Sequence, residues 1–464
     1  MKKYNVLFLF SDQHNAKCMS FRGHPQVKTP YLDQLAEDGI CFTNAYTNNP
    51  TCTPSRMSFL SGLYPSTHGY YGLYGNEPCF PMTNMFSYFR EHGYRTGALG
   101  KLHTPRYWIE RDCQFIYDEF IEYPKYLEGL GLYEKNDNRK FCGERSGNTS
   151  YIPFEHSCES MLAKQFFRFL NNEGEPADRG DSSQPWFAWV SFSRPHKPYT
   201  PSEPYADMYP PEELILPPIS KDEKDAVLQK RGAIQEGDLK GKVSAYLGLV
   251  SQVDTCIGDI MHRLSQTGQL DNTIIVYSAD HGDYAGEHGL YEKKGGISYR
   301  AITNIPFIIK VPGVQGGRTT SAIIEAVDLF PTLCELLDIP IANTVQGISQ
   351  KAVIDGTVDA IRESALTENP YRKAIATSQW RYIANIDGED DELYHISEDP
   401  WELQNLINDP ACQDVVLKMQ RLLLERVVTA RKPITTLNGF WHKHVYDRDG
   451  RIDLERCGAR TPYW

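Results

Sequence analysis

Cys52-Thr53-Pro54-Ser55-Arg56, with Ser61-Gly62 downstream, sets a thiol four residues before a guanidinium, where a helix is about to begin. A structural cysteine has no need of that arginine. A zinc site would require a second cysteine or a histidine at ligand spacing, and none follows. Other polar residues gather directly after short apolar runs: Ser11-Asp12-Gln13, Lys101-Leu102-His103, Arg194-Pro195-His196 and Asp280-His281-Gly282-Asp283. Singly, each has a plain structural reading: Asp12 and Asp280 as turn caps, His281 as a loop histidine, His103 and His196 as hydrogen-bonded side chains, Lys293 and Lys294 as a solvated turn. Four such endings together point to chemistry. Asp12, Asp280 and His281, with Gln13 as a further oxygen, make a set suited to a divalent cation, Ca2+ before Mn2+ or Mg2+. Without a cation, two facing carboxylates repel and one pKa rises.

These groups need a scaffold that brings four segments to one edge. The apolar runs 4–10, 95–100, 186–192, 272–279 and 305–312 have strand length and are apolar at successive positions. That pattern predicts strands covered on both faces, as in a parallel sheet between helices. Helical patterns lie at 29–39, 83–93, 158–172 and 243–268, and Thr29-Pro30, Gly39, Gly93 and Gly268 punctuate them. The alternation predicts an α/β fold, and in such sheets ligands bind beyond the carboxyl ends of the strands. Residues 174–185 and 195–221 read as loops, and 110–155, without a clear period, is expected to cap one side of a cleft. Beyond residue 360, "WRYIANIDGEDDELYHI" predicts two strands around an acidic turn, followed by a helix at 411–430 and a polar tail. The expected division is a catalytic α/β domain at 1–360 and a smaller α+β domain at 361–464.

At 464 residues and 41% hydrophobic, the chain can build more than one core. Its net charge of -12 argues against nonspecific nucleic-acid binding, although a bound cation or a few local Lys and Arg can still hold an anion. The 11 cysteines are odd in number and lack the spacing of a disulfide framework, which suggests a reducing, cytoplasmic setting. "MKKYNVLFLFSDQH" begins like a signal peptide, but its apolar run of about six residues is short of the roughly seven to fifteen required. Asp12 interrupts it, so a buried strand is expected. No apolar stretch reaches the roughly 18 residues of a membrane span.

Together the motifs resemble the type I, formylglycine-dependent sulfatases of the alkaline phosphatase superfamily. Cys52-Thr53-Pro54-Ser55-Arg56 with Ser61-Gly62 matches that signature. Similar segments are "TPYLDQLAEDGICFTNAY" (29–46), "GYRTGALGKLH" (93–103), "RPHKPY" (194–199), "DHGDYAGEHGLYEKK" (280–294) and "ELYHISEDPWELQNL" (392–406). Residues 104–185 and 430–464 match nothing in the pattern. The resemblance implies a large mixed, mostly parallel sheet sandwiched by helices, a smaller C-terminal α+β domain, and hydrolysis of a sulfate ester. It implies that a formylglycine-generating maturation enzyme oxidises Cys52 to Cα-formylglycine. One hydroxyl of the hydrated aldehyde then attacks sulfur and expels the alcohol. The other loses its proton, sulfate departs and the aldehyde re-forms. A thiolate would be left instead as a stable thiosulfate adduct.

The same resemblance assigns roles. Asp12, Asp280, His281 and residue 52 would hold the cation, and Arg56 the formylglycine hydroxyl. His103, beside Lys101, would be the base, and His196 the general acid; His196 and Lys293, rather than Lys294, would contact the sulfate. Lys101, His196, Lys293 and Gln13 form the substrate-contacting set. Gln13 and His281 depart from the family's Asp-Asp and Asp-Asn pairs and look like the choline-sulfatase and phosphonate monoester hydrolase branches. Phosphonate monoester or phosphodiester hydrolysis is therefore the alternative activity, and an inactive binding protein a third reading. The implied substrate is a small sulfated sugar, a mono- or disaccharide such as a glycosaminoglycan fragment. Tyr70, Tyr71, Tyr74, Tyr107, Trp108 and Tyr199 either stack on it or pack loops. No nucleic-acid or membrane partner is expected. "YDRDGRIDLE" (446–455) imitates a calcium loop, but aligning Gly450 puts Val445 and Arg456 at ligand positions, so it reads as a turn.

Overall fold

The computed structural model describes residues 3–73, 82–137, 147–173, 183–220, 236–293, 299–386 and 390–430. At its centre is β1 (Asn5–Asp12), every residue of which is buried. Side chains alternate across a strand, so Val6, Phe8 and Phe10 enter one core while Leu7 and Leu9 enter the other. After β1 come α1 (Pro30–Asp38), β2 (Ile40–Tyr46), α2 (Cys52–Ser61), α3 (Met85–Glu91) and β3 (Arg95–Gly100). Next are α4 (Arg106–Asp112), β4 (Phe115–Asp118), α5 (Glu119–Gly129), α6 (Cys158–Leu170), β5 (Trp186–Pro195) and α7 (Glu236–Gln266). The layer closes with β6 (Thr273–Ala279), β7 (Phe307–Lys310), β8 (Arg318–Glu325) and α8 (Leu329–Leu336).

These strands form one sheet in the order β4-β3-β5-β1-β6-β7-β2-β8. Only β7 runs antiparallel to its neighbours; the remaining described pairs are parallel. The large mixed, mostly parallel sheet with helices on it is the predicted architecture. Three strands of this sheet escaped prediction. β2 is interrupted by Thr43 and Asn44, β8 opens on a polar, partly exposed half, and β4 has only four residues. The run at 305–312 forms the short β7, and apolarity carries no information about direction. The unpatterned segment 110–155 holds the end of α4 and all of β4 and α5, the last with Pro124 inside it. Residues 174–182 of one expected loop, and the turn at 446–455, lie outside the described residues.

A second, antiparallel sheet consists of β9 (Ala365–Glu368), β10 (Arg372–Ala376), β11 (Arg381–Asn385) and β12 (Glu392–Tyr394), in the order β12-β11-β10-β9. α9 (Gln413–Ala430) packs on it through Val416, Met419 and Leu423, beside Leu366 and Ile375. Glu325, closing β8, joins the two sheets: it accepts from Tyr64 Oη and Leu366 N (both 2.6 Å) and pairs with Arg362 and Arg426 (both 2.9 Å). Among the described residues, no helix is long and apolar enough to cross a membrane.

α1 is held from the opposite side. Asp254, buried in α7, accepts the first-turn N–H groups of Tyr31 (3.2 Å) and Leu32 (2.8 Å), a favourable place for a carboxylate. Burial nonetheless pushes its carboxyl up to about 7, against the lowering by those two bonds. From about pH 4 to about pH 7 the folded chain keeps a proton that the unfolded chain has lost, so this group's stabilisation falls as pH rises through that window. Asp254→Asn retains an acceptor and abolishes the titration. Between about pH 5 and about pH 6 the variant should lose about 1 kcal/mol less unfolding free energy than the parent. Urea denaturation at the two values checks this, and an equal loss in both proteins would refute it.

Candidate active site

Neighbouring parallel strands β3, β5, β1 and β6 deliver their carboxyl ends to one edge. Asp12 closes β1, Lys101 follows β3, His196 follows β5, and Asp280-His281 follows β6. The register fixes their common height: Ser11 pairs with Ala279, and Gly100 with Ser191. α2 meets this edge with all ten of its residues buried. Cys52 starts it, and Arg56, four residues on, lies on the same face. Gly62 ends it in the left-handed region at φ 67°, where a Cβ would lie 2.9 Å from Val345 Cγ1.

Arg56 is wholly buried and bonds to the ends of β1, β3 and β6 and to the middle of β5. Its Nε and Nη2 donate to Asp280 Oδ2 (3.1 and 3.0 Å), and Nη2 also to Asp12 Oδ2 (2.9 Å). Nη1 donates to the Lys101 carbonyl (2.6 Å) and to Ser191 Oγ (2.7 Å). The described hydrogen bonds of Arg56 thus run to the two carboxylates, the Lys101 carbonyl and Ser191, and none of them to residue 52. Around the Cys52 sulfur stand Lys293 Nζ at 2.8 Å, His281 Nε2 at 3.4 Å and Asp12 Oδ1 at 3.8 Å. Lys101 Nζ lies 2.6 Å from Asp12 Oδ2, and His196 Nε2 4.0 Å from Asp12 Oδ1. His103 hydrogen-bonds Cys52 and stacks on Phe120 at 5.5 Å. Lys294 lies outside the described residues.

Gln13, also at positive φ (70°), bonds Asp280 Oδ1 through its N–H (3.0 Å). Its amide donates to Asp283 Oδ2 (2.6 Å) and Tyr199 Oη (3.2 Å). Asp283 went unrecognised in the sequence. It accepts the N–H groups of Ala285 (2.8 Å) and Glu292 (3.1 Å), and so ties the loop that carries Lys293 to the end of β1. Its position in "DHGD" was the only signal; its partner Gln13 is 270 residues away. Tyr199, bonded to Asp283, and Trp108 are fully buried, so these two pack the interior and offer no stacking face. Tyr71 stands beside Lys373, and Tyr74 lies outside the described residues.

The charges compete. Burial by itself would raise Asp12, yet Lys101, His196, Arg56 and His281 draw it well below the usual carboxylate range. Asp280 goes the other way, to about 6, through burial and the charge of Asp12. Burial and Asp12 also oppose ionisation of Cys52, but Lys293, Lys101 and His103 prevail and hold the thiol well below its ordinary value. His196 is pulled down to about 3 by burial and by Lys101.

Asp12, Cys52, Asp280 and His281 each present a ligand atom, all within 4.8 Å of one another. The donor set fits a divalent cation: two carboxylates, an imidazole and residue 52, all buried. His281 supports this, because Nδ1 lies 2.9 Å from the Gly282 carbonyl, which keeps the proton there and turns the Nε2 lone pair inward. Beside residue 52 opens a cleft of about 570 Å³, lined in part by Thr53, Tyr70, Leu102, His103, Ile109 and Phe120. One part of its wall, from Glu110 to Glu122, belongs to the segment that showed no periodicity in the sequence.

Residues 4–339 match the family model described as sulfatase, and residues 286–429 match that of the N-sulphoglucosamine sulphohydrolase C-terminal region. The chain is 29% identical over 459 residues to an arylsulfatase of Clostridium perfringens, covering 92% of this chain and 94% of that protein. It is 26% identical to an N-acetylglucosamine-6-O-sulfatase of Bacteroides thetaiotaomicron, over 88% of this chain and 82% of that one. Among solved structures, a phosphonate monoester hydrolase of Agrobacterium radiobacter superposes with a TM-score of 0.80 at 25% identity, over 92% of this chain and 96% of that one.

Removing Arg56 leaves two buried carboxylates without their shared partner. Arg56→Ala should destabilise the metal-free protein by at least about 3 kcal/mol at neutral pH, and adding Asp280→Asn should recover part of that. Urea denaturation measures both; a loss below about 1 kcal/mol would sink the assignment of Arg56 as the hub of the site.

Proposed function

Because the chain belongs to the sulfatase family, and is thereby a sulfuric ester hydrolase, we propose that it cleaves the sulfate ester of a small sulfated sugar at the cluster around Cys52. The observation that carries this reading is the convergence of Lys293, His281 and Asp12 on one sulfur at the start of a buried helix. Residue 52 acts as Cα-formylglycine, made by a formylglycine-generating enzyme. Its hydrate supplies a hydroxyl nucleophile and, unlike a thiol, can release sulfate. Asp12, Asp280, His281 and residue 52 hold Ca2+, favoured over Mn2+ and Mg2+ by the oxygen-rich set. Bound there, the cation would supply Lewis-acid polarisation of the attacking oxygen.

The chain's own side chains do the rest. Lys101 and Lys293 receive the sulfate oxygens, where charge accumulates as the ester bond breaks. His196 is neutral beside Lys101; the arriving anion offsets that lysine, so His196 gains a proton to hand to the leaving oxygen. His103, bonded to residue 52, takes the hydroxyl proton that frees the sulfate. Gln13, anchored on Asp283, borders the substrate and stiffens the edge. Residues 1–360 form the catalytic unit in this reading, and 361–464 the smaller one. A cytoplasmic setting is supported by the eight described cysteines, all of them free.

The sugar assignment draws on the N-acetylglucosamine-6-O-sulfatase relative. The likeness to a phosphonate monoester hydrolase favours a second reading, hydrolysis of phosphonate monoesters or phosphodiesters at the same centre. Parallel assays with aryl sulfate and aryl phosphonate esters decide between them, and a clear preference for the phosphonate would overturn the first. An inactive binding protein would show neither activity.

Mass spectrometry of the peptide around residue 52, from protein made with and without a formylglycine-generating system, should show the aldehyde only in the active preparation. An active, unmodified thiol would end the proposal. Cys52→Ala should remain folded and lose at least about a thousandfold in kcat. Chelation should abolish turnover, and Ca2+ should restore it better than Mg2+.

A further inference from the structure

The cleft beside residue 52 has a chemistry of its own. Its apolar lining comes from Tyr70, Leu73, Leu102, Ile109, Ile116 and Phe120, and Phe120 stacks on His103 to make a flat wall. Leu73, Ile116 and Phe120 are each two-fifths to one-half exposed, so these apolar side chains face open space. Among the described residues, the charged side chains of the lining are Glu110, Asp118, Glu122 and Arg106. Arg106 is engaged by Glu110 at 2.5 Å. Lys125, outside the lining, reaches Glu122 at 3.0 Å. Asp118 caps α5 through the Phe120 N–H and feels the charge of Arg106, but it forms no salt bridge among the described residues.

From this we infer that the cleft takes the alcohol half of the ester, and that this alcohol carries a flat apolar face and no negative charge. The inference rests on the sulfatase reading above and narrows it. A second sulfate or a uronate carboxylate on the leaving group would need Arg or Lys of its own. Here it would meet an acidic rim and an arginine already paired. A neutral sugar ring or an aromatic alcohol meets Tyr70 and Phe120, and a cationic substituent meets Asp118. A fragment of a polyanionic glycan, one of the substrates suggested by the family resemblance, is the poorer match.

The test uses the matured enzyme and three aryl sulfates of matched phenol acidity, whose para arms end in a hydroxyl, a carboxylate or a trimethylammonium group. The neutral and cationic esters should exceed the anionic one in kcat/KM by about tenfold. In an Asp118→Asn/Glu122→Gln variant that ratio should close to within about twofold, with the change residing in KM. Equal rates for the three esters, a preference for the anion, or a ratio unmoved in the variant would overturn the inference. Calorimetric binding of the three free phenols reads the cleft independently of turnover. Absence of sulfate hydrolysis with selective phenol binding would therefore defeat the sulfatase reading alone, and hydrolysis without selective binding the cleft assignment alone.

Discussion

Two aspartates at the ends of adjacent parallel strands, both without solvent, would be an unstable arrangement on their own. Asp12 and Asp280 coexist because one guanidinium bridges them. Arg56 reaches Oδ2 of each at about 3 Å and uses its remaining nitrogen on the Lys101 carbonyl and Ser191. A lysine could neutralise one carboxylate but could not fork across both while satisfying an adjacent strand. The unequal acidities of the two aspartates follow. Asp12 has a second cation in Lys101, whereas Asp280 bears most of the repulsion.

That fork constrains everything around it. Arg56 can reach both strand ends only if α2 lies buried against the sheet edge. The helix is held there by Thr47 bonding Ser55 at 2.9 Å and by the tight turn at Gly62. The loop before it is fastened from outside: Asn48 and Asn49 donate to the carbonyls of Leu366 and Glu368 on β9 (3.0 and 2.7 Å). With the Glu325 cluster, these bonds make the second sheet a brace for the helix start at Cys52, although no residue of that sheet belongs to the cation set.

Much of this was legible in the sequence, for identifiable reasons. A strand buried on both faces must be apolar throughout, so β1, β3, β5 and β6 announced themselves. Polar residues placed immediately after such runs marked the sheet edge. What stayed hidden depends on long-range partners or lacks period. β8 is half solvent-facing, β7 gives no sign of its direction, and β4 is too short. Asp283 has meaning only through Gln13, and Tyr199 looks like any loop tyrosine until its hydroxyl is seen on Asp283. One side of the cleft is built from two short helices and a four-residue strand whose apolar residues share no repeat.

The complete burial of α2 also orders events in time. Residue 52 is 1% exposed, Pro54 is buried, and Ser55 and Arg56 are without solvent contact. An enzyme that must grasp this segment as an extended strand finds nothing to grasp once the helix has docked. A modifying enzyme with that requirement would have to act on residue 52 ahead of the collapse of the sheet edge. For such an enzyme, a molecule that folds first would keep its thiol.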